Sequence, residues 1–343
     1  MSEQQTSSRP AADTPKARAD HRRGHSIFSG AVGRNLGLVA ALLLLCLVGF
    51  LTGGDRFASL TNLMIILSLA SAIGVLSIGM TFVITTGGID LSVGSVVGLS
   101  TVWASTLATQ NLADQYGWIV MVGCALLVGL AAGLVNGVVI AYGNVVAFIA
   151  TLAMLVAARG LAELIANRRT QIVDVPSFDN TFQGNLVGVP KIVWIFVLVA
   201  VVGWFLLNRT TFGRRTVAVG GNPEAARLAG INVKRHLVYV YGLSGLAAGI
   251  AGVMMLARTG AGSSTTGMLW ELEAIAAVVV GGTLLAGGRG TIVGTVIGAL
   301  IFATLSNVFI INNLDSSVQA IAKGAIIVGA VLLQQRISAP RSS

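Results

Sequence analysis

The sequence predicts an all-α fold: a polytopic transmembrane helix bundle of about ten spans, with both termini cytoplasmic and Gly-rich segments that break helices. Three observations predict it. Charged residues make up only 10% of the 343, against about 25% in a soluble domain, while 55% are hydrophobic. Several apolar runs approach or exceed the roughly 20 residues that cross a bilayer as helix. The basic residues are gathered: 15 of the 22 Lys and Arg fall in 1–35, 209–236, 287–290 and 336–343, the excess expected of cytoplasmic segments. A soluble enzyme, a disordered chain and a disulfide scaffold are excluded. The net charge of +9 records orientation in a membrane and points to no nucleic-acid partner. Cys46 and Cys124 lie within apolar runs and read as packing residues, not as a disulfide or metal pair.

Residues 1–35 carry Arg9, Lys16, Arg18, Arg22, Arg23 and Arg34 in a polar background. They read as a largely disordered cytoplasmic tail before an uncleaved first helix, since the basic region is long and many spans follow. The membrane domain covers 36–336, and 337–343 form a second cytoplasmic tail. The expected spans are 36–52, 62–84, 92–109, 118–141, 145–166, 190–208, 237–257, 272–286, 291–311 and 316–333. Ten spans return the chain to its starting side, which agrees with the basic segments. Two connections are too long and polar for simple turns. Residues 167–189, with Pro176, Phe178 and Phe182, are expected to form a short structured cap outside; 209–236 face inward.

The 43 glycines are the second unusual feature. Many recur at four-residue spacing, as in Gly129, Gly133 and Gly137, or Gly245 and Gly249. Small residues on one helix face let backbones approach closely in lipid; a second reading places some of them at helix breaks lining a pathway. Residues 87–98 resemble 287–298 at a constant offset of 200, which predicts an internal repeat. Corresponding Gly-interrupted segments in two halves point to a transport pathway.

Enzymatic machinery is hard to find. No Lys follows a Gly, so there is no P-loop, and a Gly-x-Gly-x-x-Gly fingerprint is missing. His21, His25 and His236 show no metal-ligand spacing. Ion-coupled carriers place ionisable residues in mid-membrane; here Arg159, Glu163 and Lys323 are the candidates, and each is expected near enough to a helix end to snorkel. That favours a pathway powered from outside the chain.

Three stretches then carry a resemblance: Thr86 to Ser95 (TGGIDLSVGS), Gly220 to Ile231 (GGNPEAARLAGI) and Glu271 to Thr283, continuing through Gly287, Gly288, Arg289 and Gly290. In this order, between matching apolar runs, they resemble the permease subunits of ATP-binding-cassette importers for ribose and related monosaccharides. One departure is that Val145 and Val146 stand where that family commonly has a proline-containing turn, which weakens the expected break at 143–148.

The residues have physical readings of their own. Asn222 suits an N-cap, Pro223 the first helical position, Glu224 the positive helix start and Gly230 the stop. The resemblance makes this short helix a coupling helix that docks on an ATPase subunit through Gly221, Asn222, Glu224, Ala225, Ala226, Arg227 and Gly230. Gly87, Gly88, Asp90, Ser92, Gly287, Gly288 and Arg289 are candidates for the translocation pathway or gate. Asp90 either caps a helix at an aqueous boundary or, with Ser92, offers hydrogen bonds to a passing sugar. Glu271 and Glu273 either favour a helix start or, with Arg258, dock an extracytoplasmic sugar-binding protein. Asn136, Asn144 and Asn307 read as interhelical partners in preference to sugar contacts. The resemblance also implies a second permease copy, identical or different, in the bacterial cytoplasmic membrane. It implies no catalytic residue, metal or cofactor in this chain, ATP being bound by the partner subunit. A permease for a nucleoside, polyol or branched-chain amino acid, and an ion-coupled carrier, are the alternatives.

Overall fold

The computed structural model describes residues 31–338; the outer parts of both predicted tails, 1–30 and 339–343, lie outside them. Helix accounts for 78% of the described residues, and the strands among them are four two-residue pieces. The helices are α1 (Ala31–Gly53), α2 (Asp55–Ala58), α3 (Leu60–Thr85), α4 (Val93–Ala104), α5 (Leu107–Tyr116), α6 (Ile119–Ala141), α7 (Ala147–Ala166), α8 (Pro176–Phe182), α9 (Lys191–Arg209), α10 (Thr211–Gly221), α11 (Pro223–Leu228), α12 (Val233–Thr259), α13 (Trp270–Val280), α14 (Ile292–Ile311) and α15 (Ser316–Ser338).

Among the described residues, seven helices are long and apolar enough to cross a membrane: α1, α3, α6, α7, α9, α12 and α14, α1 counted over Asn35–Gly53. They match seven of the ten expected spans. The other three take different forms. The expected span 92–109 stops at Ala104, because Ser105 and Thr106 redirect the chain. The Ser105 hydroxyl lies 2.9 Å from Gln171 Oε1, and Gln110 Nε2 donates to the Ser105 and Ile172 carbonyls at 2.8 and 2.9 Å. At 1.5 Å per residue, α4 is about 18 Å long against a hydrocarbon core of about 30 Å. The expected span 272–286 is helical only to Val280, and 316–333 lies within α15.

The core is α12. Of its span window 83% is buried, against 6% for α1. Its sequence explains the position: Gly242, Ser244, Gly245, Ala247, Ala248, Gly249, Ala251 and Gly252 are small on every face, so neighbours close in all round. The contact with α6 is the tightest. A Cβ at Gly245 would stand 2.8 Å from Gly133 Cα, and one at Gly249 would stand 2.9 Å from Leu126 Cα. The four-residue glycine spacing is therefore a close-packing device.

Two helix-pair clamps hold α3 to α14. Asn62 and Asn307 exchange amide hydrogen bonds at 3.1 and 2.7 Å, and the Thr81 and Thr295 hydroxyls meet at 2.8 Å. Asn307 is thus an interhelical partner, as expected. The weakened break at 143–148 is not what the chain does. Asn144 takes a left-handed φ of 53°, a conformation asparagine tolerates, and Val146 precedes α7 in extended form. Residues 142–146 thus separate α6 from α7 without a proline.

Candidate functional site

The α11 helix follows the expected local rules. Asn222 is extended (φ −158°, ψ 102°), and its side chain accepts the Ala225 N–H at 3.0 Å. Pro223 occupies the first turn, where its missing N–H costs nothing. Gly230 closes the unit at φ 82°. Glu224 and Arg227 pair at 2.8 Å with both side chains largely exposed, a contact worth about 0–1 kcal/mol. Only Ala226 of α11 is buried. Leu228, which the sequence reading passed over, is 86% exposed; the available signal was a leucine inside a polar connection.

The α11 unit is braced from behind. Thr216 of α10 meets His236 Nε2 of α12 at 2.9 Å, Phe212 lies on the His236 ring at 4.8 Å, and Phe82 of α3 lies 5.9 Å from Phe212. This exposed helix stands on a buried polar and aromatic mount.

Immediately before α11, three turns meet backbone to backbone. The Gly288 N–H donates to the Thr85 carbonyl at 2.9 Å. A Cβ on Gly287 would stand 2.9 Å from Gly87 N and 2.8 Å from the Gly220 carbonyl oxygen; one on Gly288 would stand 3.0 Å from Gly221 Cα. Gly87 and Gly287 share left-handed φ values of 84° and 82°. The two segments of the proposed repeat thus touch each other; the residues that lead into α11 are touched by the second segment directly and, on the side of the first, by Thr85 just before it. They diverge only further along: α4 stops at Ala104 after 12 residues, whereas α14 runs on past the corresponding position to Ile311, 20 residues in all. Arg289 is exposed beside this junction.

Asp90 sits deeper. It is 1% exposed. One carboxylate oxygen accepts the Ser92 N–H at 3.0 Å and the Ser92 hydroxyl at 2.6 Å; the other accepts the Ser244 hydroxyl at 2.9 Å. Asn136 of α6 donates to the Ser92 hydroxyl at 2.9 Å. Ser244 lies 11 residues into α12, about 16 Å from its start. Asp90 is therefore held beside the interior of α12. It ties the start of α4 to α12 and, through Ser92, to α6. A buried carboxylate must have such partners, and these occupy both its oxygens. The Gly88 backbone passes against the Tyr241 hydroxyl.

The three residues expected at the opposite end separate. Arg258 is exposed and, with Lys191, Gln183 and Asn185, lines an open hollow of about 470 Å³ between the ends of α3, α9 and α12. Glu273 pairs with Lys323 of α15 at 2.6 Å, both about one-fifth exposed. Glu271 is buried against Gly94 of α4. Arg159 does not snorkel, as the sequence suggested: its guanidinium donates to the Ser264 and Thr266 carbonyls, pinning the segment before α13 across α4. Lys323 likewise spends its charge on Glu273. Among the described residues, no group of three or more His, Cys, Asp or Glu is arranged to hold a metal ion.

A protein-family profile described as "Branched-chain amino acid transport system / permease component" matches residues 62–333. The ribose import permease protein RbsC of Escherichia coli is 41% identical over 303 residues, covering 87% of this chain and 92% of its own length. RbsC of Bacillus subtilis is 37% identical over 328 residues, covering 95% and 99%. The L-arabinose ABC transporter permease protein AraH of Azospirillum brasilense is 37% identical over 335 residues, covering 98% and 96%. No solved structure matches the chain significantly.

Proposed function

The chain belongs to the branched-chain amino acid transport system / permease component family, and on that premise we propose that it is the multi-pass permease subunit of an ATP-binding-cassette importer for a monosaccharide, in the bacterial inner membrane. The substrate class follows the relatives, whose names specify ribose and L-arabinose along nearly their whole length. A ribose-like sugar is the first ligand to try; a nucleoside, a polyol or a branched-chain amino acid would be the next.

One observation carries the importer reading: α11 is a capped, almost fully exposed helix on a buried mount, placed directly after the three-turn junction. Such a helix suits a cleft in a separate ATPase subunit. Gly221, Ala225 and Gly230 allow close docking, Leu228 offers the apolar anchor, and Glu224 and Arg227 form the charged edge. ATP belongs to that partner.

We read ten passages through the membrane. Eight are made by α1, α3, α6, α7, α9, α12, α14 and α15. In the other two, a non-helical segment (86–92 or 260–269) completes the passage of a short helix, α4 or α13. Arg209, Arg214, Arg215, Arg227, Lys234, Arg235 and Arg289 gather toward the α11 end, which makes that end and both termini cytoplasmic by the positive-inside rule. The hollow lined by Arg258 and Lys191 then faces the docked sugar-binding protein.

Transport proceeds by alternating access in a dimer of permeases. The loaded binding protein docks, ATP closes the ATPase subunits, α11 moves, and the Gly87 and Gly287 turns open the inner end. Hydrolysis resets the assembly. The Glu224→Lys, Gly230→Leu double variant tests the docking role. Loss of co-purification with the ATPase subunit is expected; unchanged assembly and uptake would sink the assignment.

A further inference from the structure

Gly220 lies in the last turn of α10 with ordinary helical backbone, unlike Gly87, Gly287 and Gly288, whose φ values are left-handed. Nothing in its own conformation asks for glycine, and glycine weakens a helix relative to alanine. What Gly220 supplies is empty space. A Cβ there would overlap the Thr85 carbonyl oxygen and stand 2.6 Å from Gly288 N. Those two atoms are the acceptor and donor of the hydrogen bond that joins the end of α3 to the 287–290 turn. Ordinary contact would require the Thr85 carbonyl to retreat by roughly 1.5 Å or more.

From this geometry we infer that Gly220 is the positioning residue through which movement of α11 reaches both Gly turns at once. The inference rests on the importer reading above. Side chains between moving elements can change rotamer and absorb a displacement. Here three backbones are in direct contact, so a shift of α10 is passed to Thr85–Gly87 and to Gly287–Gly288 together. Gly290 belongs to the same contact, because a Cβ there would overlap the Thr85 hydroxyl oxygen. The obstruction at 290 is a side chain and removable; at 220 it is backbone and fixed.

The test uses the whole transporter in proteoliposomes, with its ATPase subunit and loaded binding protein, and reads ATP hydrolysed per sugar taken up. Gly220→Ala should raise that ratio at least tenfold while hydrolysis stays within about twofold of wild type. Gly290→Ala should do the same, and adding Thr85→Ala should restore the ratio, since the nearest remaining atoms are Thr85 Cβ at 3.3 Å and Thr81 Cγ2 at 3.4 Å. Gly160→Ala, whose new methyl would have nothing within 4 Å apart from its own stretch of helix backbone, should change nothing. A Gly220→Ala ratio within twofold of wild type overturns the inference, as does a proportional loss of hydrolysis and uptake, which marks a merely structural role. If Gly220→Ala fails to assemble, the Gly290 and Thr85 pair decides, and failure of Thr85→Ala to rescue overturns the inference. Wild-type uptake that needs no ATP would instead overturn the importer reading, before any variant is compared.

Discussion

The Asp90 carboxylate accepts the Ser244 hydroxyl at 2.9 Å, deep beside α12, while its other oxygen holds both the N–H and the hydroxyl of Ser92. One aspartate thus fixes where α4 begins. Asp90→Ala strands two buried hydroxyls and an N–H, at about 1–3 kcal/mol each. The detergent-purified protein should unfold at a markedly lower temperature. Asp90→Asn keeps an acceptor oxygen and should lose less. Equal melting temperatures for wild type and Asp90→Ala would show that the network is not structural.

The α6–α12 contact leaves no room for side chains. Gly245→Leu would press on Gly133 Cα and N, both 2.8 Å from even a Cβ. Overpacking typically costs about 1–3 kcal/mol, and here the obstacle is backbone, so the cost belongs at or above that upper end. Size-exclusion profiles should show aggregation or loss of the folded peak. A monodisperse, fully active Gly245→Leu protein would refute the close contact.

Leu228 is predicted to anchor the docking helix. Burying a leucine stabilises by about 1.5–3 kcal/mol, so Leu228→Ala should weaken ATPase-subunit binding about 10- to 150-fold. The Kd of the detergent-solubilised pair reads this directly, and a change under twofold would remove Leu228 from the interface.

Topology is open to a labelling test. A small tag after residue 180, in α8, should be reached by an impermeant reagent outside intact cells, whereas one after residue 222 should be reached only after permeabilisation. The reverse pattern would invert the orientation.

Much of this was legible in sequence because it is local. Span hydropathy, the Asn222 cap, the Gly230 stop and the glycine spacing each depend on residues a few positions apart. What could not be read depends on distant partners. The α4 helix ends where Gln110 and Gln171 meet Ser105; Arg159 is held by carbonyls more than 100 residues away; Asp90, besides bonding Ser92 at the start of α4, is tied to α12 because Ser244 reaches it. The same holds for Gly87, Gly220 and Gly287, which were visible as motifs but not as one junction. The break at 143–148 is different: Asn144, with its left-handed φ of 53°, turns the chain by a route open to asparagine and closed to proline, whose φ is fixed at about −65°.

The central claim is that this chain is a passive pathway driven by a separate ATPase. The most direct measurement is uptake of labelled ribose, and then of other monosaccharides, by proteoliposomes. Uptake is predicted only when the permease, its ATPase subunit, the loaded binding protein and ATP are all present. Accumulation by the permease alone under a proton or sodium gradient would contradict the account.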